Sequence, residues 1–340
     1  MVLLITINQQ RTTNNWDCLM ILVAGSANLD FVVSASHIPA PGETVLGEHF
    51  QTFPGGKGAN QAVACARASG AETHMLLALG RDDFAKPLTD ALSQAGVVQH
   101  TVWSEQPTGC AFICVSSGGD NAITVAPGAN AALRPEHWAS HVGALTGVSH
   151  LLMQLETPLQ TVACYAKAAR EAGVQVVLNA APAQPLPSDL LTNVDVLVVN
   201  EGELFAVVQA KTGQQPLSIT LALQALDVPA AVVTLGARGS CAWVNNTLVA
   251  QPSFQVDVVD TTGAGDTFCG ALTGALSQGI EMAQALRTAS AAGALACTQL
   301  GAQSSMPTAQ TVAQFLEQHR PAQDSAVHSL LAYCSASPSP

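Results

Sequence analysis

The stretch DTTGAGDTFCGAL, residues Asp260 to Leu272, carries the local information that decides the fold. The glycines in it let the backbone turn tightly, and the residues from Asp266 onward favour a helix. A helix start of this kind predicts an anion-binding site built from the backbone amides of Gly263, Ala264 and Gly265. Asp266 is then either the cap of the helix or a base at the mouth of the anion site.

Two common nucleotide-binding motifs do not fit the chain. The dinucleotide fingerprint G-x-G-x-x-G needs a glycine where Phe268 stands, and it follows the first strand of a domain rather than lying near its end. Gly56 and Lys57 are followed by Gly58, so this Gly-Lys pair is not part of a Walker A box. The sequence therefore disfavours a dehydrogenase of the Rossmann type and a P-loop enzyme.

A second glycine cluster, FPGGKGANQAV from Phe53 to Val63, also precedes a predicted helix. A simple hinge loop would give no reason for Lys57 and Asn60, so we interpret the cluster as part of a ligand site. Upstream, GSANLD from Gly25 to Asp30 follows the first predicted strand. The carboxyl ends of strands are where open parallel sheets bind ligands.

The polar residues near that sheet edge indicate the chemical class of the ligand. Asn28 and Asp30 are two residues apart and lie on one side of an extended strand. Glu156, in LLMQLE at the end of another predicted strand, adds an acceptor at the same edge. Amide and carboxylate groups together supply the donor and acceptor that each hydroxyl of a polyol requires.

Apolar strand-like runs alternate with longer amphipathic segments along the chain, which predicts a parallel sheet covered by helices on both faces. The predicted strands are Met20 to Gly25, Met75 to Leu79, Ser149 to Met153, Val174 to Asn179, Val194 to Asn200, Ala230 to Leu235 and Ser240 to Val244. The predicted helices are Ala59 to Ser69, Phe84 to Ala95, Leu159 to Ala172, Glu201 to Ala210, Asp266 to Gln278, Met282 to Thr298 and Ala309 to His319.

Two stretches of the first third break this alternation. Phe31 to Phe53, and Pro107 to Val125 with a Ser-Ser-Gly-Gly-Asp turn, predict short antiparallel strands. We expect them to pair as a small sheet over the edge of the main one, where it would form a lid, with strands within 31–53 and 107–126. The remaining predicted units are an unstructured leader over residues 1–19, one folded domain over 20–320 that includes the lid, and a flexible tail over 321–340.

Composition limits the partners. The 340 residues include 12 Lys and Arg against 24 Asp and Glu, a formal charge of -12, so nucleic acid and anionic membrane are poor partners. A bound phosphate must be met mainly by backbone amides, metal ions and one or two lysines. Nine scattered cysteines without a C-x-x-C pair favour free thiols in a reducing cytoplasm.

The two glycine clusters together identify a resemblance. GGKGAN and DTTGAGDTFCGA, in this order, resemble the two signatures of the ribokinase, or PfkB, family of sugar and nucleoside kinases, and the resemblance runs from about Met20 to about Phe315. It implies a ribokinase-like fold, a three-layer α/β/α Rossmann-like domain with a mainly parallel sheet and a β-sheet lid. It also implies transfer of a phosphoryl group from ATP to the 5-hydroxyl of D-ribose, and a homodimer formed through the lid.

The resemblance further implies a role for individual residues. Asp266 would be the base, and the amides of Gly263, Ala264 and Gly265 would stabilise the charge on the transferring group. The residues that would hold ribose are Asn28, Asp30, Gly56, Lys57, Asn60 and Glu156. The nucleotide would contact Asn200, Thr234, Leu235, Gly236, Ala237, Arg238, Gly239 and Gly265.

Two cations belong to the implied site. Glu203, with Asn200 in the N-x-x-E pattern, would act on Mg²⁺ indirectly. K⁺ would be bound, mostly through carbonyl oxygens, by Asp260, Thr262, Ala296, Gln299, Gly301 and Ser305.

Three alternatives stay open from the sequence. The first two are other acceptors, a neighbouring sugar such as deoxyribose or a nucleoside, because the sequence does not show which groups face the 2-hydroxyl. A non-catalytic sugar sensor could use the same fold, although a sensor has no need for Asp266 as a base.

Overall fold

The computed structural model describes residues 20–143 and 145–336, and the predicted leader lies outside them. In chain order the strands are β1 (Met20–Ala24), β2 (Asn28–Ala35), β3 (His49–Gly55), β4 (Thr73–Gly80), β5 (Val98–Ser104), β6 (Gly109–Ser116), β7 (Asn121–Ala126), β8 (Val148–Met153), β9 (Gln175–Asn179), β10 (Val196–Asn200), β11 (Ala230–Thr234), β12 (Gly239–Val244) and β13 (Thr247–Pro252). The helices are α1 (Lys57–Ser69), α2 (Ala85–Gln94), α3 (Leu159–Glu171), α4 (Ser188–Leu191), α5 (Glu201–Thr212), α6 (Ile219–Ala225), α7 (Ala264–Ser277), α8 (Met282–Ala296), α9 (Ala309–Gln318) and α10 (Asp324–Ser335).

Nine strands form the main sheet in the order β13-β12-β11-β10-β9-β8-β1-β4-β5. The pairings are parallel except those of β12 with β11 and β13. The predicted three-layer α/β/α fold is confirmed, because separate hydrophobic clusters cover the two faces of the sheet. One cluster packs under α1, α7 and α8, and the other under α3, α5 and α6. Among the described residues, none of the helices is both long and apolar enough to cross a membrane.

The predicted small second sheet is present, with the strand order β3-β2-β6-β7. Its expected pattern is wrong in one respect, since β2 and β6 pair in parallel and only the other neighbours are antiparallel. The reason is that β2 continues from β1 and β6 continues from β5. Those two strands of the main sheet run in the same direction, so the chain leaves the sheet in the same direction twice.

The carboxyl-terminal region differs from the sequence-based prediction. Instead of a flexible tail, residues 324–335 form α10, whose Leu330 and Cys334 are buried in the cluster of the α5 and α6 face. The Cys334 Sγ atom lies 3.0 Å from the Sγ atom of Cys241 on β12. The sequence did not predict this helix because the segment is rich in polar and small residues. The helix is amphipathic and covers one face of the antiparallel β12–β13 hairpin at the sheet edge.

We expect Leu330→Ala to lower the free energy of unfolding by about 2 to 4 kcal/mol, because Leu330 is 5% exposed and its removal leaves a cavity under α10. Urea denaturation measures the change. Ser329→Ala, at an exposed position of the same helix, is the control and should stay within about 0.5 kcal/mol of the parent chain. Equal stability of the two variants would show that α10 does not contribute to the folded unit.

Candidate active site

The start of α1 lies against the loop that follows β1. Gly56 has a φ of 87°, and a Cβ atom there would lie 2.7 Å from the Asn28 nitrogen. A Cβ atom at Gly58 would lie 2.5 Å from the Ser26 nitrogen. Such approach distances are open only to glycine. The GGKG pattern therefore brings Lys57 beside the end of the first strand.

Glu156 ties these segments together from the end of β8. Its Oε2 atom accepts hydrogen bonds from the Ser26 hydroxyl at 2.6 Å and from the Lys57 backbone nitrogen at 3.1 Å. Asn28 is oriented by a buried neighbour, because its Oδ1 atom accepts from the Asn130 Nδ2 atom at 2.8 Å. The side-chain nitrogen of Asn28, Nδ2, therefore remains available as a donor to a ligand.

Asp266 does not cap its helix. The N-cap of α7 is Gly263, with a φ of 74°, and Asp266 lies in the first turn. Its Oδ2 atom accepts from the Asn60 Nδ2 atom, and its Oδ1 atom from the Gln61 Nε2 atom, both at 2.9 Å. The cap interpretation of Asp266 is therefore wrong, and the carboxylate extends across to α1.

Carboxylates crowd this region around a single ammonium group. Burial, with Glu156 and Asp266 adding repulsion, raises the pKa of Asp30 to about 7. Burial also raises the pKa of Asp266, against the opposing effects of Lys57, Gln61 and Asn60. Burial alone would lower the pKa of Lys57, but the nearby carboxylates raise it above its ordinary value. Proton transfer and cation binding are the chemistry that such a cluster supports.

Two cavities meet at the start of α7. The smaller, of about 180 Å³, is lined by Lys57, Asp266 and Glu203 among others. The larger, of about 340 Å³, is lined mostly by apolar side chains, including Phe254, Val256 and Val258. Gly265 and Thr234 line both cavities. The smaller, polar cavity therefore adjoins the larger, mainly apolar cavity at the start of α7, which is rich in backbone N–H groups.

The amides of the helix start are largely available. The Ala264 N–H donates to the Thr261 carbonyl oxygen at 3.2 Å. The N–H groups of Gly263 and Gly265 donate to no backbone oxygen of the described residues. Nothing lies within 4 Å of where a Cβ atom at Gly265 would be. Packing within the protein does not require glycine at this position.

The sequence profile of pfkB family carbohydrate kinases matches residues 19–309. The chain belongs to this family. It is 38% identical to a ribokinase of Haemophilus influenzae, over 87% of this chain and 98% of that protein. It is 31% identical to a deoxyribokinase of Salmonella typhi, over 87% of this chain and 98% of that protein. The structure of Arabidopsis thaliana ribokinase complexed with ribose and ATP matches with a TM-score of 0.76 at 33% identity, covering 87% of this chain and 98% of that one.

Family membership and these relatives identify a ribokinase-type carbohydrate kinase. The structure brings together most of the residues that the resemblance to the pfkB family assigned to the site. Asn200 and Glu203 lie together, with the Glu203 carboxylate accepting from the Asn200 backbone nitrogen at 2.8 Å, and both line the polar cavity. Asp260 joins two segments, because its carboxylate accepts from the Thr262 nitrogen and the Gly301 nitrogen, both at 2.9 Å.

Some predicted nucleotide residues of this pfkB family chain are directed elsewhere. Leu235 is buried in the core and does not line the larger cavity. The Arg238 guanidinium lies 4.3 Å from the Tyr333 ring centroid and 3.7 Å from a Glu201 oxygen, so its side chain faces α10. Only the backbone of these two residues remains suited to a nucleotide contact.

Sequence reasoning missed three kinds of residue. The first is the set of buried amides behind the pfkB family motifs, Gln61, Gln154, Asn130 and Asn179. The second is the apolar lining from the segment after β13, including Phe254, Val256 and Val258, and the third is the α8 lining of Ser290, Gly293, Ala294 and Cys297. Gln61, which follows GGKGAN, could have predicted the amide cluster, since a buried amide at a helix start needs hydrogen-bond partners. The cavity lining had none, because apolar residues are ordinary core candidates.

We expect the pKa of Asp30 to make stability depend on pH. The folded chain holds this proton more tightly than the unfolded chain, so the contribution of Asp30 to the free energy of unfolding falls as pH rises from about 4 to about 7 and is constant above. Asp30→Asn should remove this contribution and gain roughly 1 to 3 kcal/mol relative to the parent as pH rises through that range.

Denaturant unfolding of Asp30→Asn and the parent chain across this range measures the effect. Asp83→Asn, at an exposed position, is the matched control and should follow the parent at every pH. Parallel curves for Asp30→Asn and the parent would contradict the raised pKa.

Proposed function

We propose that this chain transfers the γ-phosphoryl group of ATP to the 5-hydroxyl of D-ribose. The observation that carries the proposal is the position of Asp266, at the polar cavity beside a helix start that also borders the larger cavity. A nucleotide in the larger cavity, with its phosphates toward the polar one, would bring its γ-phosphoryl group to Asp266, whose carboxylate also contacts Asn60 at the start of α1, where the sugar would lie. The ribokinase relatives, one of them solved with ribose and ATP, support the choice of both substrates.

The acceptor sugar would be held by the polar groups around the start of α1. The donors are the Asn28 amide nitrogen, Asn60 and Lys57, and the acceptors are the carboxylates of Asp30 and Glu156. Gly56 contributes by bringing the backbone close to Asn28. With a pKa of about 7, Asp30 is partly protonated near neutral pH, and a hydroxyl donor from the sugar would favour its ionised form.

Asp266 would take the proton of the 5-hydroxyl as its oxygen attacks the γ-phosphorus, and ADP would leave with the bridging oxygen. Phosphoryl transfer asks the protein for positioning and for stabilisation of charge. The amides of Gly263, Ala264 and Gly265 would stabilise the charge on the transferring group, and each such donor is worth about a factor of 10² to 10³. The low number of basic side chains agrees with this use of amides.

The residues also fit two cations. Glu203, a hard oxygen donor beside Asn200 and Lys57, would hold Mg²⁺ indirectly. Mg²⁺ would neutralise phosphate charge. Asp260 joins its own loop to Gly301, and these segments supply the proposed K⁺ ligands, Asp260, Thr262, Ala296, Gln299, Gly301 and Ser305, which offer carboxylate, carbonyl and hydroxyl oxygens.

The lid supports the proposed homodimer. Its strands carry exposed large apolar side chains, among them Phe50, Phe112, Ile123 and Val125. A second lid sheet against this surface would remove them from water. The eight described cysteines are free thiols, in line with the proposed cytoplasmic location.

Deoxyribose is the second candidate acceptor, favoured by the similarity to a deoxyribokinase. A panel of ribose, deoxyribose, fructose and adenosine, assayed with ATP, Mg²⁺ and either K⁺ or a large organic cation, tests the proposal. We expect ribose with K⁺ to give the highest kcat/KM.

Asp266→Asn should lower kcat by at least about 10²-fold with ribose affinity nearly unchanged. A preference for another acceptor, or normal turnover by Asp266→Asn, would refute the assignment.

The Gly265→Ala variant tests whether glycine at this position serves ligand binding or the local backbone structure. Because no atom lies near the added methyl group, the variant should keep its stability within about 1 kcal/mol. The methyl group would project into the space proposed for the phosphates, and kcat should fall at least about 10-fold.

Gly270→Ala is the contrasting control in the same helix. Its added Cβ atom would lie 2.8 Å from the Cys65 nitrogen, so it should lose about 1 to 3 kcal/mol of stability. Full activity of Gly265→Ala would argue against a phosphoryl group above this amide.

A further inference from the structure

Four buried amide side chains and the half-buried Gln303 form a hydrogen-bond network with the Asp266 carboxylate. Gln61 is fully buried, and its Nε2 atom donates to Asp266 Oδ1 and to Asn179 Oδ1, both at 2.9 Å. Its Oε1 atom accepts from Gln154 Nε2 at 2.6 Å. On the other carboxylate oxygen, Asn60 donates at 2.9 Å and accepts in turn from Gln303 Nε2 at 3.1 Å. Each carboxylate oxygen is therefore held by an amide that a second amide supports.

The direction of these hydrogen bonds is fixed by a backbone carbonyl. Asn179 Nδ2 donates to the Val198 carbonyl oxygen at 3.2 Å, and that oxygen can only accept. Asn179 must then present its own oxygen to Gln61. Gln61 consequently presents its NH₂ group to both Asn179 and Asp266, whatever the protonation state of the carboxyl group.

Gln154 shows that this direction has an energetic cost. Its side chain is 1% exposed, and within the described residues its Oε1 atom has no hydrogen-bond partner. That oxygen occupies the space where a Cβ atom at Gly25 would be. Reversing the Gln154 amide would place an oxygen against Gln61 Oε1 and lose the 2.6 Å bond. An unsatisfied buried carbonyl is tolerated where the donor on the same amide is needed.

We propose that Gln61, oriented by Asn179 and Gln154, is a positioning residue that fixes the rotation of the Asp266 carboxylate toward the sugar hydroxyl. This inference rests on the proposed function, in which Asp266 is the base. Gln61 is itself closed off from the cleft and acts only through Asp266. An NH₂ donor at Oδ1 also favours the ionised carboxylate, the form that can accept a proton.

Two variants of similar size separate the roles of Gln61. Gln61→Met removes the donor, so kcat should fall about 10- to 100-fold with KM values within about two-fold, and the loss should be largest at low pH. Gln61→Glu places a second carboxyl group against Asp266, so its loss should grow as pH rises. The charged and titratable groups facing Asp266 are unchanged in both variants: Asp30, Lys57, Glu156, Glu203 and Cys269.

Gln99→Met is the matched control, because Gln99 also loses hydrogen bonds, to Thr89 and Ser93, but lies on the edge strand β5. It should keep the parent kcat and pH profile. Gln154→Met removes only the support behind Gln61 and should give a smaller loss in the same direction as Gln61→Met. It carries the test if Gln61→Met fails to fold.

Titration of the Asp266 carboxyl carbon by NMR gives a readout that needs no turnover. The carbon is assigned by its absence in Asp266→Asn, and its pKa should be higher in Gln61→Met than in the parent. If the parent phosphorylates none of the acceptors, the proposed function fails while this titration still tests Gln61. An unchanged pKa, or an active parent whose Gln61→Met variant keeps its kcat and pH profile, would overturn the inference.

Discussion

Helices α1 and α7 lie closer together than most side chains allow, and the geometry of the site depends on this contact. A Cβ atom at Gly270 would overlap the Cβ atom of Ala64, and one at Gly274 would overlap Ser69. The two glycines are one helical turn apart and form a flat surface on α7. Because α7 lies directly on α1, Asp266 reaches the amides of Asn60 and Gln61. A larger side chain at either glycine would move the carboxylate away from its donors.

The close contact concentrates negative charge that the protein must balance. Asp266, Glu156 and Glu203 surround Lys57, and Asp30 lies near Glu156 and Asp266. The pKa shifts of Asp30, Asp266 and Glu203 are all upward. Burying several carboxylates around one ammonium group destabilises the free protein. Ligands that bring hydroxyl donors and cations reduce that cost. A cluster of this kind therefore suits a ligand that brings hydroxyl donors or cations better than a neutral apolar molecule.

The sequence predicted the central strands and the two glycine-rich helix starts because these depend on local patterns. Seven strands and seven helices were found near their predicted positions, whereas β5, β13, α4, α6 and α10 were missed. β5 is a half-exposed edge strand, and α10 needs the β12–β13 hairpin as a surface on which to fold. The parallel pairing of β2 and β6 and the contact of Asp266 with α1 depend on packing between segments far apart in the chain. No local pattern could decide them.

Glycines that look alike in the sequence differ in what requires them. In the TTGAGD segment, Gly263 has a positive φ and lies against Ala302, so the fold alone explains it. Gly265 has an ordinary helical position and open space where its side chain would be. Alanine would suit that position better in a helix. A residue that costs the fold some stability and is not needed by it is best explained by something that occupies the space during function. In this chain that space lies where the polar and the apolar cavity adjoin, which is the space proposed for the phosphates.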